Sequence, residues 1–476
     1  MLFNSLDYLL FLPAVAILFH VVPQRSRLPV MLTASLMFYA SYGLGHLVGL
    51  GAVAVIALAA GRFLLRPEAA FHHAAFWGGT TAILGLMYVL KYHDPIAAVF
   101  PLVPVTGFAA PAGFSFYAFT AIALLADRYR QPVESQASPG ADMLFLAWFP
   151  KILAGPIERI RPFNAELKST PRLDLALLAS AGQLILWGLV KKVVVADNLA
   201  PFVDRTYASP DYAVPMELIL ATYFFAFQIY CDFSGYTDIA RGSSRLFGIE
   251  LNENFRRSYF ATSIGEFWSR RWHISLSEWF RDFVYYPVVH ESDSVIRMYA
   301  GLMLVFLVSG LWHAGLGYGF GWGFIVWGAL NGLFLWGERS MRPLRRRISH
   351  RWKGTWKGRL YGLLAGLVVF HLILVSWIFF RAAEIDAALT ILGRIWSFLP
   401  ALPSLVGSYP FTVEHGFLTA LIAGLFAIET TQEVPGLRGR IRSAPRAVIW
   451  AGWYAAGFVL IFLGRWQGEA FVYMQF

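Results

Sequence analysis

The chain alternates long apolar runs with short polar or basic breaks. The runs lie near residues 5–22, 29–44, 47–61, 74–90, 112–126, 175–195, 215–231, 295–311, 316–337, 358–380, 413–428 and 447–463. A helix needs roughly 20 apolar residues to cross a bilayer, so this spacing predicts about 11–12 transmembrane helices. Membrane strands would alternate apolar and polar positions. These runs are continuous, which leaves a helix bundle.

Two regions interrupt the pattern. Residues 143–163, MLFLAWFPKILAGPIERIRPF, begin apolar but are cut by Pro150, Pro156 and Pro162. Residues 232–289 mix polar and aromatic positions throughout. Broken backbone survives at membrane depth only where protein or water covers it. Both regions are therefore expected to be re-entrant or interfacial helices inside the bundle. No repeat or low-complexity linker divides the chain. The expectation is one integral-membrane domain over 1–476, with N-terminal spans to about 130, a central core over about 140–340 and C-terminal spans over about 358–476.

Composition agrees. Hydrophobic residues make up 57% of the chain and charged ones 14%, against about a quarter charged in soluble domains. The net charge of +10 would suggest nucleic acid in a soluble protein. Here the basic residues collect at alternate breaks: Arg25 and Arg27, Arg62 and Arg66, residues 127–130, 341–359 and 435–446. That is the signature of cytoplasmic loops, and nucleic acid is not an expected partner. Asp7 precedes the first apolar run and the first arginines follow it, so the run reads as a retained span with its N-terminus periplasmic. One cysteine, Cys231, excludes an intrachain disulfide or a cysteine metal cluster.

Of the 11 histidines, two have chemically distinctive surroundings. His313 stands in LVSGLWHAGLGYGFGWGF, an ionisable group in an apolar run. Such groups are costly in membranes and usually face a pathway. Imidazole can serve as a general base near neutral pH, but a bonded packing role fits the residues equally well. Gly319/Gly323 and Gly328/Gly332 match the small-xxx-small spacing of close helix pairs. The glycines, Gly315 and Gly317 included, are alternatively the wall of a substrate passage. His273 stands in FWSRRWHISLSEWFRDF. A helix over 265–286 would align Arg270, His273, Ser277 and Arg281 on one stripe. That stripe is either an interfacial helix with Trp268, Trp272 and Trp279 as its aromatic belt, or a basic mouth for a phosphate-bearing substrate. Asp232 and Asp238 could orient a histidine or pair with Arg241 or Arg245. His371 reads as a helix-packing hydrogen bond. Metal-ligand, P-loop, Rossmann and nucleophile-elbow motifs are absent from the sequence.

The run SIGEFWSRRWHISLSEWFRDFVYYPV, followed by VSGLWHAG, resembles the hallmark of the membrane-bound O-acyltransferase family, within it the bacterial alginate O-acetyltransferase branch. The similarity also covers PAGFSFYAFTAIALLADRYR, FPKILAGPIERIRPF, LWGLVKKVVVADNLAPFVD, QIYCDFSGYTDIARGSSRLFGIEL and the terminal EAFVYMQF. The resemblance implies a bundle around a transmembrane tunnel, with the donor on the cytoplasmic side. It implies His313 as the catalytic histidine, with Ala314 where the family motif has glycine, and His273 as the second histidine. Asp232 and Asp238 fall on the family's D-F-S-G-Y-T-D motif. Arg270, Arg271, Trp272, Ser277, Arg281, Trp312 and both aspartates, Asp232 and Asp238, would then line the substrate or donor site. The resemblance further implies acetyl-coenzyme A as donor, no tightly bound cofactor or metal, and a bacterial inner-membrane location. The implied partners are the bilayer, periplasmic SGNH-type acetyltransferases and a polysaccharide export complex. Alginate is the default acceptor; cellulose, peptidoglycan or teichoic-acid D-alanylation are alternatives, as is a non-catalytic transporter or scaffold.

Overall fold

The structure is a computed structural model describing all residues except 67–70, 100–103, 132–137, 169–170, 172, 291–293, 316–320, 402–406, 408, 467–470 and 472–476. The protein is an all-α, multi-pass membrane bundle. Among the described residues, eight helices are long and apolar enough to cross a membrane: Leu44–Phe63, His72–Val99, Leu175–Ala208, Pro215–Arg245, Val295–His313, Trp356–Arg381, Val413–Glu433 and Arg446–Leu463. The other predicted runs form helices that are shorter or more polar, Leu6–Val21, Gln24–Ala40, Phe114–Arg130 and Trp322–Ser340.

These helices differ in what covers them. Of the most apolar stretch of Pro215–Arg245, 83% is buried inside the protein, against 6% for Arg446–Leu463. The first is a core helix and the second faces lipid on nearly every side.

The chain folds as two compact units, Met1–Leu189 with Gly235–Glu253 and Trp466–Phe476, and Val190–Ser234 with Asn254–Arg465. In the first unit the 143–163 region is broken as its prolines predict. A helix over Pro139–Ala147 gives way to irregular backbone before Ile160–Leu167. That backbone is buried, and Gly113, at φ 70°, makes room for it: a Cβ there would lie 2.5 Å from the Ile152 carbonyl oxygen. Lys151 and Glu158 are both buried in it. The Lys151 ammonium sits 4.3 Å from the centroid of the Phe145 ring, and Glu158 accepts from the backbone and side-chain amides of Asn252, both at 2.7 Å.

The expected break at residue 232 does not occur. Pro215–Arg245 is one helix of 31 residues, contributing to the second unit up to Ser234 and to the first from Gly235. Its polar positions Asp232, Ser234, Thr237, Ser243 and Ser244 are all buried. Ser243 accepts from the Tyr8 hydroxyl and Ser244 from the Trp148 indole. A helix screened from lipid can carry such residues, so their polarity did not mark an end. Within the first unit its tail crosses Leu175–Leu189 through glycines. A Cβ on Gly188 would lie 2.6 Å from the Gly235 carbonyl oxygen, and one on Gly242 2.7 Å from that of Ala181.

In the second unit Val295–His313 and Trp322–Ser340 form the tightest helix pair, again through glycine. A Cβ on Gly310 would collide with the Phe324 carbonyl, and one on Gly328 with that of Phe306. Gly332 meets Met303, and Gly323 meets the Phe379 carbonyl. These glycines are sites of close helix approach. The passage-wall reading is overturned at Gly323, Gly328 and Gly332, because neighbouring backbone or side chain fills the space. Gly317 and Gly319 lie outside the described residues, as does most of the terminal EAFVYMQF. Gly328→Leu is expected to force the two helices apart and destabilise the fold by about 1–3 kcal/mol, read as a lowered unfolding temperature of the detergent-purified protein.

Candidate active site

His313 is the last residue of Val295–His313. Ala314 leaves the helix in an extended conformation and Gly315 follows at φ 86°. The imidazole is 4% exposed. Three rings from two other helices surround it: Trp327 at 5.4 Å and nearly perpendicular, Phe380 at 5.0 Å edge-on, and Phe324 at 5.9 Å stacked. Trp312, its own neighbour in sequence, lies at 4.7 Å. An imidazole in such a nest is shielded from bulk water.

The structure replaces the continuous helix expected over 265–286 with a broken path. Ile264–Glu266 runs into a wide turn over Phe267–Arg271, then extended backbone at Trp272 and left-handed backbone at His273 (φ 44°), before a helix over Ile274–Phe280. The stripe of Arg270, His273, Ser277 and Arg281 therefore does not form. Residues 254–256 cross residues 271–274 in a minimal antiparallel pairing, Phe255 opposite Trp272. Arg256 N donates to the Arg271 carbonyl at 2.9 Å and Ile274 N to the Asn254 carbonyl at 3.0 Å. The Asn254 side chain accepts from Ser275 N at 3.0 Å. Arg257 and His273 are the non-glycine residues at positive φ among the described residues, and they flank this pairing. Left-handed backbone costs such residues of order 1–3 kcal/mol and persists where surrounding structure fixes it.

This path buries His273 to 3% exposure. Its ring meets Phe233 edge-on at 4.8 Å and Trp312 at 6.5 Å. Trp312 thus stands between the two histidines, touching both. Trp272 is 1% exposed, stacked on Phe267 at 5.5 Å and tilted on Trp377 at 5.0 Å. It belongs to the core, and the aromatic-belt reading fails for it.

The expected polar contributors separate. Arg271 is fully engaged by the protein: Nε donates to Glu266 at 2.6 Å, Nη2 to Glu433 at 2.7 Å, and Nη1 to the carbonyls of Arg256 and Arg257. Glu433 also accepts from Arg257 Nε at 2.6 Å. Arg271 therefore fastens the crossing and has no fork left for a phosphate. Arg270 and Arg281 are exposed, Arg281 beside Asp282 at 3.0 Å. The Ser277 hydroxyl donates to the Trp268 carbonyl at 2.6 Å. Asp232 pairs with Lys192 at 2.8 Å. Asp238 meets Arg241 at 3.4 Å within the first unit.

Lys192 is the residue sequence reasoning missed. Its ammonium bridges Asp232 and Asp197, 2.8 Å to each, with all three side chains at most 4% exposed. KK in an apolar run was the available signal, because a lysine inside a span needs a buried counter-charge. Glu429 accepts from the Tyr230 hydroxyl, one turn before Glu433 on the same helix. His371 is a packing group, as expected: Nε2 meets the Tyr223 hydroxyl and Nδ1 the Leu367 carbonyl, both at 2.7 Å. Among the described residues, no cluster of three or more His, Cys, Asp or Glu could hold a metal ion.

The model of the membrane-bound O-acyltransferase family matches residues 35–380. The chain belongs to that family. Both histidines, Trp272, Trp312, Lys192 and Asp232 fall inside the matched region; Glu429 and Glu433 lie beyond it. The acyltransferase is 34% identical over 417 residues to the probable alginate O-acetylase AlgI of Azotobacter vinelandii, covering 84% of this chain and 78% of that one. It is 30% identical over 394 residues to the peptidoglycan O-acetyltransferase of Helicobacter pylori, covering 76% and 72%. It is 29% identical over 236 residues to the teichoic acid D-alanyltransferase of Streptococcus thermophilus, covering 47% and 55%.

Two predictions follow from the charges of this acyltransferase. Lys192→Met removes the buried positive charge that both carboxylates pair with and is expected to cost about 3–5 kcal/mol, read as loss of monodisperse protein after extraction. Burial holds the His273 imidazole down at about 3, against 6.5 ordinarily. Between those values the unfolded chain binds a proton that the folded chain refuses, so stability falls as pH drops from about 6.5 towards 3. Removing the imidazole in His273→Gln should flatten the dependence of unfolding temperature on pH across that window.

Proposed function

We propose that the protein transfers an acetyl group from acetyl-coenzyme A, taken from the cytoplasm, towards the hydroxyls of an exported polysaccharide, with His313 as general base. The observation that carries this reading is the burial of His313 in a ring of aromatic side chains, in a chain of the acyltransferase family. A thioester in water is exposed to hydrolysis, so a base that activates one chosen hydroxyl works best where water is excluded.

In this reading His313 accepts the proton of the acceptor hydroxyl as its oxygen attacks the thioester carbonyl. His273, neutral because it is buried, acts as a hydrogen-bonding group held on its left-handed backbone. Arg270 and Arg281 remain as guanidinium groups for the coenzyme A phosphates, since Arg271 is committed to Glu266 and Glu433. Support for donor entry from the cytoplasmic side comes from the basic segment 341–359. Arg345 donates to the Thr262 carbonyl at 2.8 Å and pairs with Glu338 at 3.2 Å. Glu338 in turn accepts from Ile264 N and Gly265 N, at the start of the path that carries His273. In this reading the basic segment lies in the cytoplasm, as the positive-inside rule favours, and the N-terminus in the periplasm. The bilayer concerned is then a bacterial inner membrane.

Alginate is the acceptor proposed first, because relatives so named share 30–34% identity over 84% of this chain. Periplasmic SGNH-type partners and a polysaccharide export complex would complete the transfer. His313→Ala, with folding and membrane insertion verified, is expected to lower transfer of labelled acetyl from acetyl-coenzyme A, and the O-acetyl content of the cell's polymer, to background. Retained acetylation would sink the assignment. Acetyl lost from peptidoglycan, or alanine esters lost from teichoic acid, would instead move the acceptor to those polymers.

A further inference from the structure

Buried indole N–H groups are donors only, and buried donors in native structures almost always have acceptors. The tryptophans here largely obey. Trp268 Nε1 donates to Asn331 at 3.1 Å, Trp336 Nε1 to the Tyr299 carbonyl at 2.8 Å and Trp148 Nε1 to Ser244 at 2.8 Å. Trp327 and Trp377 do not. They are 2% and 0% exposed, and neither Nε1 has an acceptor among the described residues. The two rings are stacked at 6.1 Å with 14° between their planes. Trp327 stands 5.4 Å from the His313 ring, and Trp377 lies 5.2 Å from Phe380, which touches that ring.

Packing holds these rings where they are. Gly328, adjacent to Trp327, is pressed against Phe306, and Asn331 donates to the Trp327 carbonyl at 2.8 Å. Trp377 is wedged between Trp272 and Trp327. An apolar side chain would fill either position without leaving a donor unmet. A hydrogen-bond acceptor carried by a substrate beside His313 would supply the missing partner.

We propose that the Trp327 indole N–H, seconded by that of Trp377, donates to the carbonyl oxygen of the acyl group as negative charge builds on it. This rests on the reading of His313 as the base. As the acceptor oxygen bonds to the carbonyl carbon, its proton passes to His313 and the C=O π pair moves onto oxygen. The resulting oxyanion accepts from Trp327. Collapse re-forms C=O and breaks the carbon–sulfur bond, and the departing thiolate takes the proton from His313. Donors fixed before reaction and screened from water stabilise such an oxygen most strongly.

The test uses full-length protein in detergent or nanodiscs, with labelled acetyl-coenzyme A as donor and de-acetylated alginate as the acceptor probe. Trp327→Phe keeps an aromatic ring and deletes the donor. β-(3-Benzothienyl)alanine at position 327 keeps the bicyclic shape, with sulfur in place of N–H, and decides the matter if the phenylalanine variant fails to fold. Loss of one such donor lowers kcat by about 10²-fold, with KM for acetyl-coenzyme A unchanged. A benzothienyl variant with wild-type kcat, or a loss confined to KM, would overturn the proposal. His313→Ala run alongside separates the two claims. Activity surviving there removes the catalytic reading itself, whereas activity lost there but kept in the benzothienyl variant removes only the indole donor.

Discussion

Non-helical backbone inside a membrane bundle must find every hydrogen bond within the protein, and that requirement organises the region around the histidines. The path from Asn254 to Phe280 abandons the helix twice, at Arg257 and at His273. It survives because its two limbs pair with each other, Phe255 opposite Trp272, and because Asn254 takes up the free amide at the start of the next helix. Arg271 then binds both limbs at once through the carbonyls of Arg256 and Arg257. With that crossing in place His273 has one available position, and Trp312 fits between it and His313.

Charge follows the same economy. Lys192 sits between Asp197 and Asp232, so the long core helix can carry an aspartate next to Phe233, the residue that packs on His273. Neutralised in this way, the aspartate is part of the scaffold. Exposed pairs such as Arg205–Glu414 contribute far less, typically under about 1 kcal/mol. What holds the site is the handful of ionic contacts lipid and water do not reach.

Much of this was legible in the sequence. Apolar runs give the helices, prolines give the break after Ala147, and the Gly328/Gly332 pair has the spacing of close helix approach. The family motifs singled out both histidines. Three features were hidden for physical reasons. The polar stretch from Asp232 to Arg245 looked like an end, yet a helix covered on all sides tolerates polar residues. The 265–286 segment has helical periodicity, but pairing with residues 254–256 outweighs it and turns His273 left-handed. Arg271 looked like a phosphate ligand, and only the fold reveals that Glu433, 162 residues away, already occupies it.

That last contact carries an implication for how such chains diverge. Residues 35–380 match the family's shared pattern, yet Glu429 and Glu433 reach back from beyond it to Tyr230, Arg257 and Arg271. The helix Val413–Glu433 thus carries the acidic partners of this core's arginines. In a chimera that joins this core to a relative's C-terminal helices, the arginines would meet a foreign surface unless acidic groups recur at the same two heights. A substitution at 257, 271 or 433 therefore unbalances charge on both sides of the boundary where the family match ends.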